Sequence, residues 1–262
     1  MNIIKVCFNY MLLFCFLTYT DIESIGLWNS FFEQIPTLKY KVFIHPKFNI
    51  HHDKYRFPVH VVKKKVPTIS KSHISIVSAT LQLLKDAFEQ SEGMGTHFFF
   101  LTQHCIPLYP FHFYEKMLAN LNRSLVSCLQ STSNERYFQL HPSMHRFLTH
   151  SQFVKQQPNM ILIKEDVELL IKHDFRQYFQ KMICPDEHYF INVLLYILKR
   201  NIIKQQTHFC NFNINRTQAL NFNQLVDDQN FIKQIRQKGY LFLRKVSVKY
   251  LPKVIEEYIL DF

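Results

Sequence analysis

A chain of 262 residues that is 47% hydrophobic and 15% aromatic has ample material for the core of one large domain and is too apolar for extended disorder. It holds only 4 glycines and no GxGxxG or GxxxxGK(S/T) pattern, which excludes the glycine-rich phosphate loops of dinucleotide-binding enzymes and P-loop NTPases. The formal charge of +11 favours anionic partners, but the basic residues are dispersed, and the densest run, Lys63-Lys64-Lys65, reads as a solvated loop.

The apolar run 6–17 is predicted as a buried first strand. It follows Lys5, resembles a short signal h-region, and is shorter than the ~20 residues of a usual span, so a signal anchor stays open beside the strand. A helix is expected over 22–34, carrying Leu27, Trp28, Phe31 and Phe32, and a strand rich in aromatic and β-branched residues over 40–45. Residues 48–65 read as irregular, broken by Pro58. The segment 72–90 is a strong helix, because Ile76, Ala79, Leu83, Leu84 and Ala87 share one face and Ser70 or Ser72 can cap it. A strand at 96–101 then meets a turn at Pro107 and Pro110, followed by a helix at 111–121 and a strand near 125–129. The stretch 131–158 reads as irregular, 160–163 as a strand, and 165–181 as a helix. After the helix opening near Glu187 comes a polar region rich in Asn and Gln, a short strand at 241–243, and a final helix or tail at 249–259. Early strand–helix alternation implies a mainly parallel sheet with helices on both faces, in one α/β domain spanning 1–262.

Six cysteines show no CxxC pair and no zinc spacing, so buried free thiols are expected, with a Cys184–Cys210 bridge left open. His45, flanked by apolar residues, reads as a histidine satisfied at the core edge. His104 beside Cys105 lacks the further ligands a metal site needs.

The stretch Cys184-Pro185-Asp186-Glu187-His188-Tyr189-Phe190 sets two carboxylates at the start of an amphipathic helix whose apolar face includes Val193, Leu194 and Ile197. Pro185 and Asp186 suit the first turn, and Glu187 falls where the helix dipole favours a negative side chain. Locally, a surface capping carboxylate and a general base are both compatible with this pattern; His188 reads as a structural hydrogen-bonder.

Several segments in the same order resemble the core-2/I-branching β-1,6-N-acetylglucosaminyltransferases and their plant relatives, a family that includes peptide O-xylosyltransferases. Leu27-Trp28-Asn29-Ser30-Phe31-Phe32 is similar to the family's "LWxxFF" helix, and YKVFIH at 40–45 to its second strand. ISIVSATLQLL at 74–84 resembles "ISMVxAERxLL", and FFFLTQHCIP at 98–107 resembles "FxLLSxxCIPL". Glu135-Arg136-Tyr137 is similar to a "GRY" element, Ser151-Gln152-Phe153 to "GSQW", Pro185 to Tyr189 to "xDEHY", and Leu241-Phe242-Leu243-Arg244-Lys245 to "LFARKF".

The resemblance implies a GT-A-type, Rossmann-like glycosyltransferase fold, with a nucleotide-sugar-binding half at 1–130 and an acceptor and catalytic half at 131–262. It implies transfer from a UDP-sugar to a hydroxyl of a glycan or glycoprotein with inversion, the sugar being N-acetylglucosamine or xylose. By the same resemblance Glu187 is the catalytic base, Lys245, Arg244 and Arg216 hold the donor diphosphate, and Glu135 and Arg136 contact the acceptor. No metal or other cofactor is expected, and the chain has no DxD motif. Departures are Phe153 for the family's Trp, Gln103-His104 before the "CIP", and Pro46-Lys47 where the animal enzymes carry an acid. A catalytically inert relative that binds glycans is the alternative. Nucleic acid is not expected as a partner, since no binding motif accompanies the charge. Location stays open between the cytoplasm and a Golgi or ER membrane association through residues 6–17. The sequons at Asn122 and Asn215 would be modified only in a secretory lumen, and a glycan at Asn215 would crowd the expected diphosphate site.

Overall fold

The computed structural model describes residues 11–70, 72–91, 95–130, 134–210, 229–246 and 251–261. It is built on β1 (Met11–Thr18), an uncharged strand buried on both faces, as the central strand of a covered parallel sheet has to be. Helix α1 (Ile25–Phe32), strands β2 (Tyr40–Pro46) and β3 (Val59–Val61), helix α2 (Ser75–Gln90) and strand β4 (Gly95–Thr102) follow. Next come β5 (Cys105–Pro107), α3 (Phe111–Leu118), β6 (Leu125–Val126), β7 (Leu129–Gln130), α4 (Asn134–Phe138), β8 (Val154–Lys155), β9 (Met160–Ile163) and α5 (Lys164–Lys172). A 3-10 turn, Pro185–Glu187, leads into α6 (Tyr189–Asn192), which continues as a π-helical turn over Val193–Ile197. Strand β10 (His208–Phe209), helix α7 (Gln229–Gln237), strand β11 (Phe242–Arg244) and helix α8 (Lys253–Leu260) complete the described elements.

The main sheet has the order β3-β2-β1-β4-β9-β6. The four strands from β3 to β4 run parallel, and β9 runs antiparallel to both its neighbours. Chain order therefore builds outward in opposite directions on either side of the β1–β4 junction. The alternation of β1 divides the core: Leu12, Phe14 and Phe16 pack on α1, α3, α7 and α8, while Leu13 and Cys15 face α2, α5 and α6. Phe14 stacks on Phe99 of the neighbouring strand at 4.7 Å, and the rings of Trp28, Phe31 and Phe32 close around it edge-on. Trp28, fully buried, donates its indole N–H to the Cys105 carbonyl at 3.0 Å, which ties α1 to the start of β5. The expected α/β architecture, mainly parallel with helices on both faces, is therefore observed.

Several elements differ from expectation for local reasons. Residues 48–65 contain the edge strand β3, whose preceding Pro58 is tolerated because an edge needs no donor there. The turn expected at Pro107 is instead the end of edge strand β5, in a second sheet of order β10-β11-β5. The helix expected to reach residue 181 stops at Lys172; the Asp174 carboxylate binds the Arg176 N–H and guanidinium and turns the chain aside. Residues 229–237 of the Asn- and Gln-rich region form α7, which buries Ile232 and Ile235. The middle stretch 131–158 is not wholly irregular, since it contains α4 and β8. Cys15, Cys105, Cys128, Cys184 and Cys210 are free, so the Cys184–Cys210 bridge is not formed. His45 is buried and accepts the Val66 N–H at 3.0 Å.

Candidate active site

The carboxyl ends of β1 and β4 open onto a cleft of about 300 Å³. Open α/β sheets offer ligand sites at such a switch point, where the loops after the two strands leave in opposite directions. Thr18 ends β1 in the cleft, Thr102 ends β4, and Lys47 stands one residue beyond β2. The facing wall comes from the C-terminal part of the chain: Arg244 at the end of β11, Lys245 after it, and Asp186 from the 3-10 turn.

Arg244 lies in the middle strand of the small sheet, in register with Cys105 of β5, and its charge opposes the burial that raises the Cys210 thiol pKa. Its Nε is buried without a protein partner. Lys245 has a left-handed backbone, φ +77°, a conformation that costs a non-glycine residue roughly 1–2 kcal/mol. Its N–H and that of Val246 both bond the His104 carbonyl at 3.1 Å, so the strained residue is fixed from its backbone. Next to His104, the Gln103 side-chain carbonyl accepts the Tyr19 N–H, and its Nε2 donates to Glu23 at 3.0 Å. Glu23 also pairs with His104 Nδ1 at 3.0 Å. This network joins the loops that follow β1 and β4. Burial lowers the His104 pKa despite Glu23, and the nearby Lys245 and Arg244 charges add to the depression.

The acidic turn owes its shape to Cys184, left-handed at φ +53°, and to Pro185, whose ring fixes the next φ. A 3-10 turn advances about 120° per residue, so the two consecutive carboxylates diverge. Asp186 lines the cleft. Glu187 pairs instead with Lys155 Nζ at 2.8 Å, its side chain 30% exposed. The Asp186 pKa is raised to about 7, first by burial and then by the Glu187 charge, against the opposing effects of Arg244 and of backbone N–H groups. Its Oδ1 is buried and has no hydrogen-bond partner. His188, also buried, bonds the Val154 carbonyl through Nδ1 at 3.1 Å and stacks on Phe153 at 4.7 Å. Burial pushes its pKa down to about 4, so it is a neutral structural residue, as its position implied.

Of the residues singled out from sequence, Arg244 and Lys245 line the cleft together, and Glu187 stands beside it in the same turn as Asp186. Glu135 and Arg136 lie on α4 outside the cleft lining; Glu135 is exposed, and Arg136 donates to the Ile183 carbonyl, just ahead of the acidic turn. Arg216 lies outside the described residues. Sequence reasoning missed Asp186 as the inward-facing acid, because adjacent carboxylates carry no signal of which one a tight turn points inward. Lys47 and His104 were visible as departures from a family pattern, with no role attached. Among the described residues, no group of three or more His, Cys, Asp or Glu side chains could hold a metal ion, and no helix is long and apolar enough to cross a membrane.

A family model described as "Core-2/I-Branching enzyme" matches residues 12–236. The chain belongs to this family and is a glycosyltransferase with a mainly parallel α/β fold, and family membership implies a nucleotide-sugar donor and a glycan acceptor. No curated protein matches it. Among solved structures it is similar to the galactosyltransferase LgtC in complex with donor and acceptor sugar analogues, with 12% identity, 71% of each chain covered and a TM-score of 0.39. It is also similar to the bifunctional glycosyltransferase WbbM, with 10% identity over 93% of this chain and 46% of that one and a TM-score of 0.43. A third likeness is to 4-diphosphocytidyl-2C-methyl-D-erythritol synthase from Anaerococcus prevotii, with 11% identity, 65% of this chain and 83% of that one covered, and a TM-score of 0.31.

Proposed function

We propose that the enzyme transfers N-acetylglucosamine or xylose from a UDP-sugar to a hydroxyl of a glycan or glycoprotein, with inversion and without a divalent metal. The observation that carries this reading is the convergence of Arg244, Lys245 and Asp186 on one wall of a switch-point cleft, with Glu187 next to Asp186 in the same turn. The departing diphosphate gains negative charge in the transition state, so cations fixed at that spot stabilise it more than the ground state. Arg244 and Lys245, with Arg216, would do this where a metal serves other enzymes, and the absence of a DxD motif supports that assignment. Glu187 would take the acceptor proton, a contribution of roughly two to four orders of magnitude. A base on the face of the sugar opposite the leaving group gives inversion, by the geometry of inverting glycosidases. Glu135 and Arg136 would contact the acceptor, Arg136 from its place near the acidic turn.

The 2.8 Å Lys155–Glu187 pair supports the second reading, an inert glycan-binding relative, because a base held by a cation has to be released before it can act. Thermal-shift screening of a panel of UDP- and GDP-sugars, followed by turnover with the donor that binds, separates the two. The enzyme reading expects a UDP-sugar to raise the midpoint and to be turned over. Stabilisation by a glycan, with no turnover of any donor, would favour the inert relative.

A further inference from the structure

We propose that Asp186 touches the transferred sugar itself, holding one of its hydroxyl groups, and so helps to select the donor. This rests on the reading of the cleft as a UDP-sugar site. In an inverting displacement the base and the leaving diphosphate lie on opposite faces of the sugar, so the sugar fills the space between them. Asp186 borders that space from both directions. One peptide bond joins it to Glu187, and its carboxyl group is close enough to Arg244 to be influenced by that charge. Of the two acids in the turn, it is the one that lines the cleft.

Two further observations point to a ligand there. The Asp186 Oδ1 is buried and lacks any protein partner, and buried carboxyl oxygens are otherwise almost always hydrogen-bonded. Glu187 on the same turn and Arg244 at the end of β11 act on its charge, and Lys245 and His104 line the same cleft. In that setting its pKa of about 7 leaves a large fraction of the group neutral near neutral pH. A neutral carboxyl both donates and accepts, which matches a sugar hydroxyl, and it does not repel the adjacent diphosphate.

The test is calorimetric titration of UDP, UDP-N-acetylglucosamine and UDP-xylose into wild type, Asp186→Asn and Asp186→Ala. With Asp186 on the sugar, both variants bind UDP within about twofold of wild type. For the preferred donor, the ratio of the UDP-sugar to the UDP dissociation constant rises about tenfold in Asp186→Ala and stays within about threefold in Asp186→Asn, whose amide still donates and accepts. Asp186→Ser, which shortens the side chain, gives the same comparison should the alanine variant fail to fold. An unchanged ratio in the truncated variant, or an equal weakening of UDP and UDP-sugar, overturns the proposal while leaving the UDP-sugar cleft intact. Failure of the wild type to bind UDP overturns both.

Discussion

Replacing Arg244 by Ala tests whether the cleft is a diphosphate site. The guanidinium reaches the cleft wall with its Nε unpartnered, and Asp186, an acid of the same cleft that feels its charge, has a pKa raised to about 7. Removal of the Arg244 charge takes away one of the effects that lower the Asp186 pKa, so the acid becomes more neutral and adds no new repulsion toward a phosphate. The loss of affinity is then close to that of the charge-assisted hydrogen bond alone, about 1.5–3 kcal/mol, or roughly 10–150-fold in Kd. Folding should suffer less. The register of β11 with Cys105 is made by backbone groups, which the substitution leaves in place. Calorimetry with UDP at fixed ionic strength measures the effect, with UMP, one phosphate shorter, expected to weaken by a smaller factor. Arg244→Lys should fall between the two, since it keeps the charge and loses the planar fork. An Arg244→Ala protein that is folded and binds UDP as tightly as wild type would refute the assignment.

Glu187→Gln should lower turnover by about 10²–10⁴-fold while UDP binding is kept, and it should barely move the melting temperature, because the partly exposed Lys155 pair is worth about 0–1 kcal/mol. Full activity in that variant would remove the residue from the chemistry. The buried His188 gives a pH signature. Its folded pKa of about 4 lies below the usual 6.5, so its contribution to stability is complete above pH 6.5 and is lost as pH falls toward 4. That amounts to roughly 3 kcal/mol over the whole interval. Denaturant unfolding at pH 7 and pH 4.5 should show the loss, and His188→Gln should flatten it; an equally steep dependence in the variant would exclude His188 as the source.

Much of this was legible in the chain because the central elements obey local rules. The apolar run 6–17 reads as a buried strand with a signal anchor left open beside it, and the structure makes Met11–Thr18 a strand covered on both faces; the face shared by Leu83, Leu84 and Ala87 demanded a helix. Arg244 and Lys245 were singled out through the resemblance of Leu241-Phe242-Leu243-Arg244-Lys245 to the family's "LFARKF", and the structure places both on the cleft because β11 ends there. The acidic turn was harder. Its composition announced two carboxylates, but which one faces inward depends on the left-handed Cys184 and on a 3-10 rather than α-helical first turn, and neither leaves a periodic mark. Strands β3 and β5 escaped notice because each is three residues long and adjoins or contains a proline. The early end of α5 was hidden for a different reason, since it depends on an Asp174–Arg176 contact that forms only once the chain has turned.

Transfer carried out in EDTA, with the configuration of the new glycosidic bond read by proton NMR, tests the proposed chemistry most directly. Single displacement driven by Glu187 and by fixed cations predicts a β-linked product from an α-linked UDP-sugar, at a rate that chelation does not reduce. An α-linked product, or activity abolished by EDTA and restored by magnesium or manganese, would contradict it.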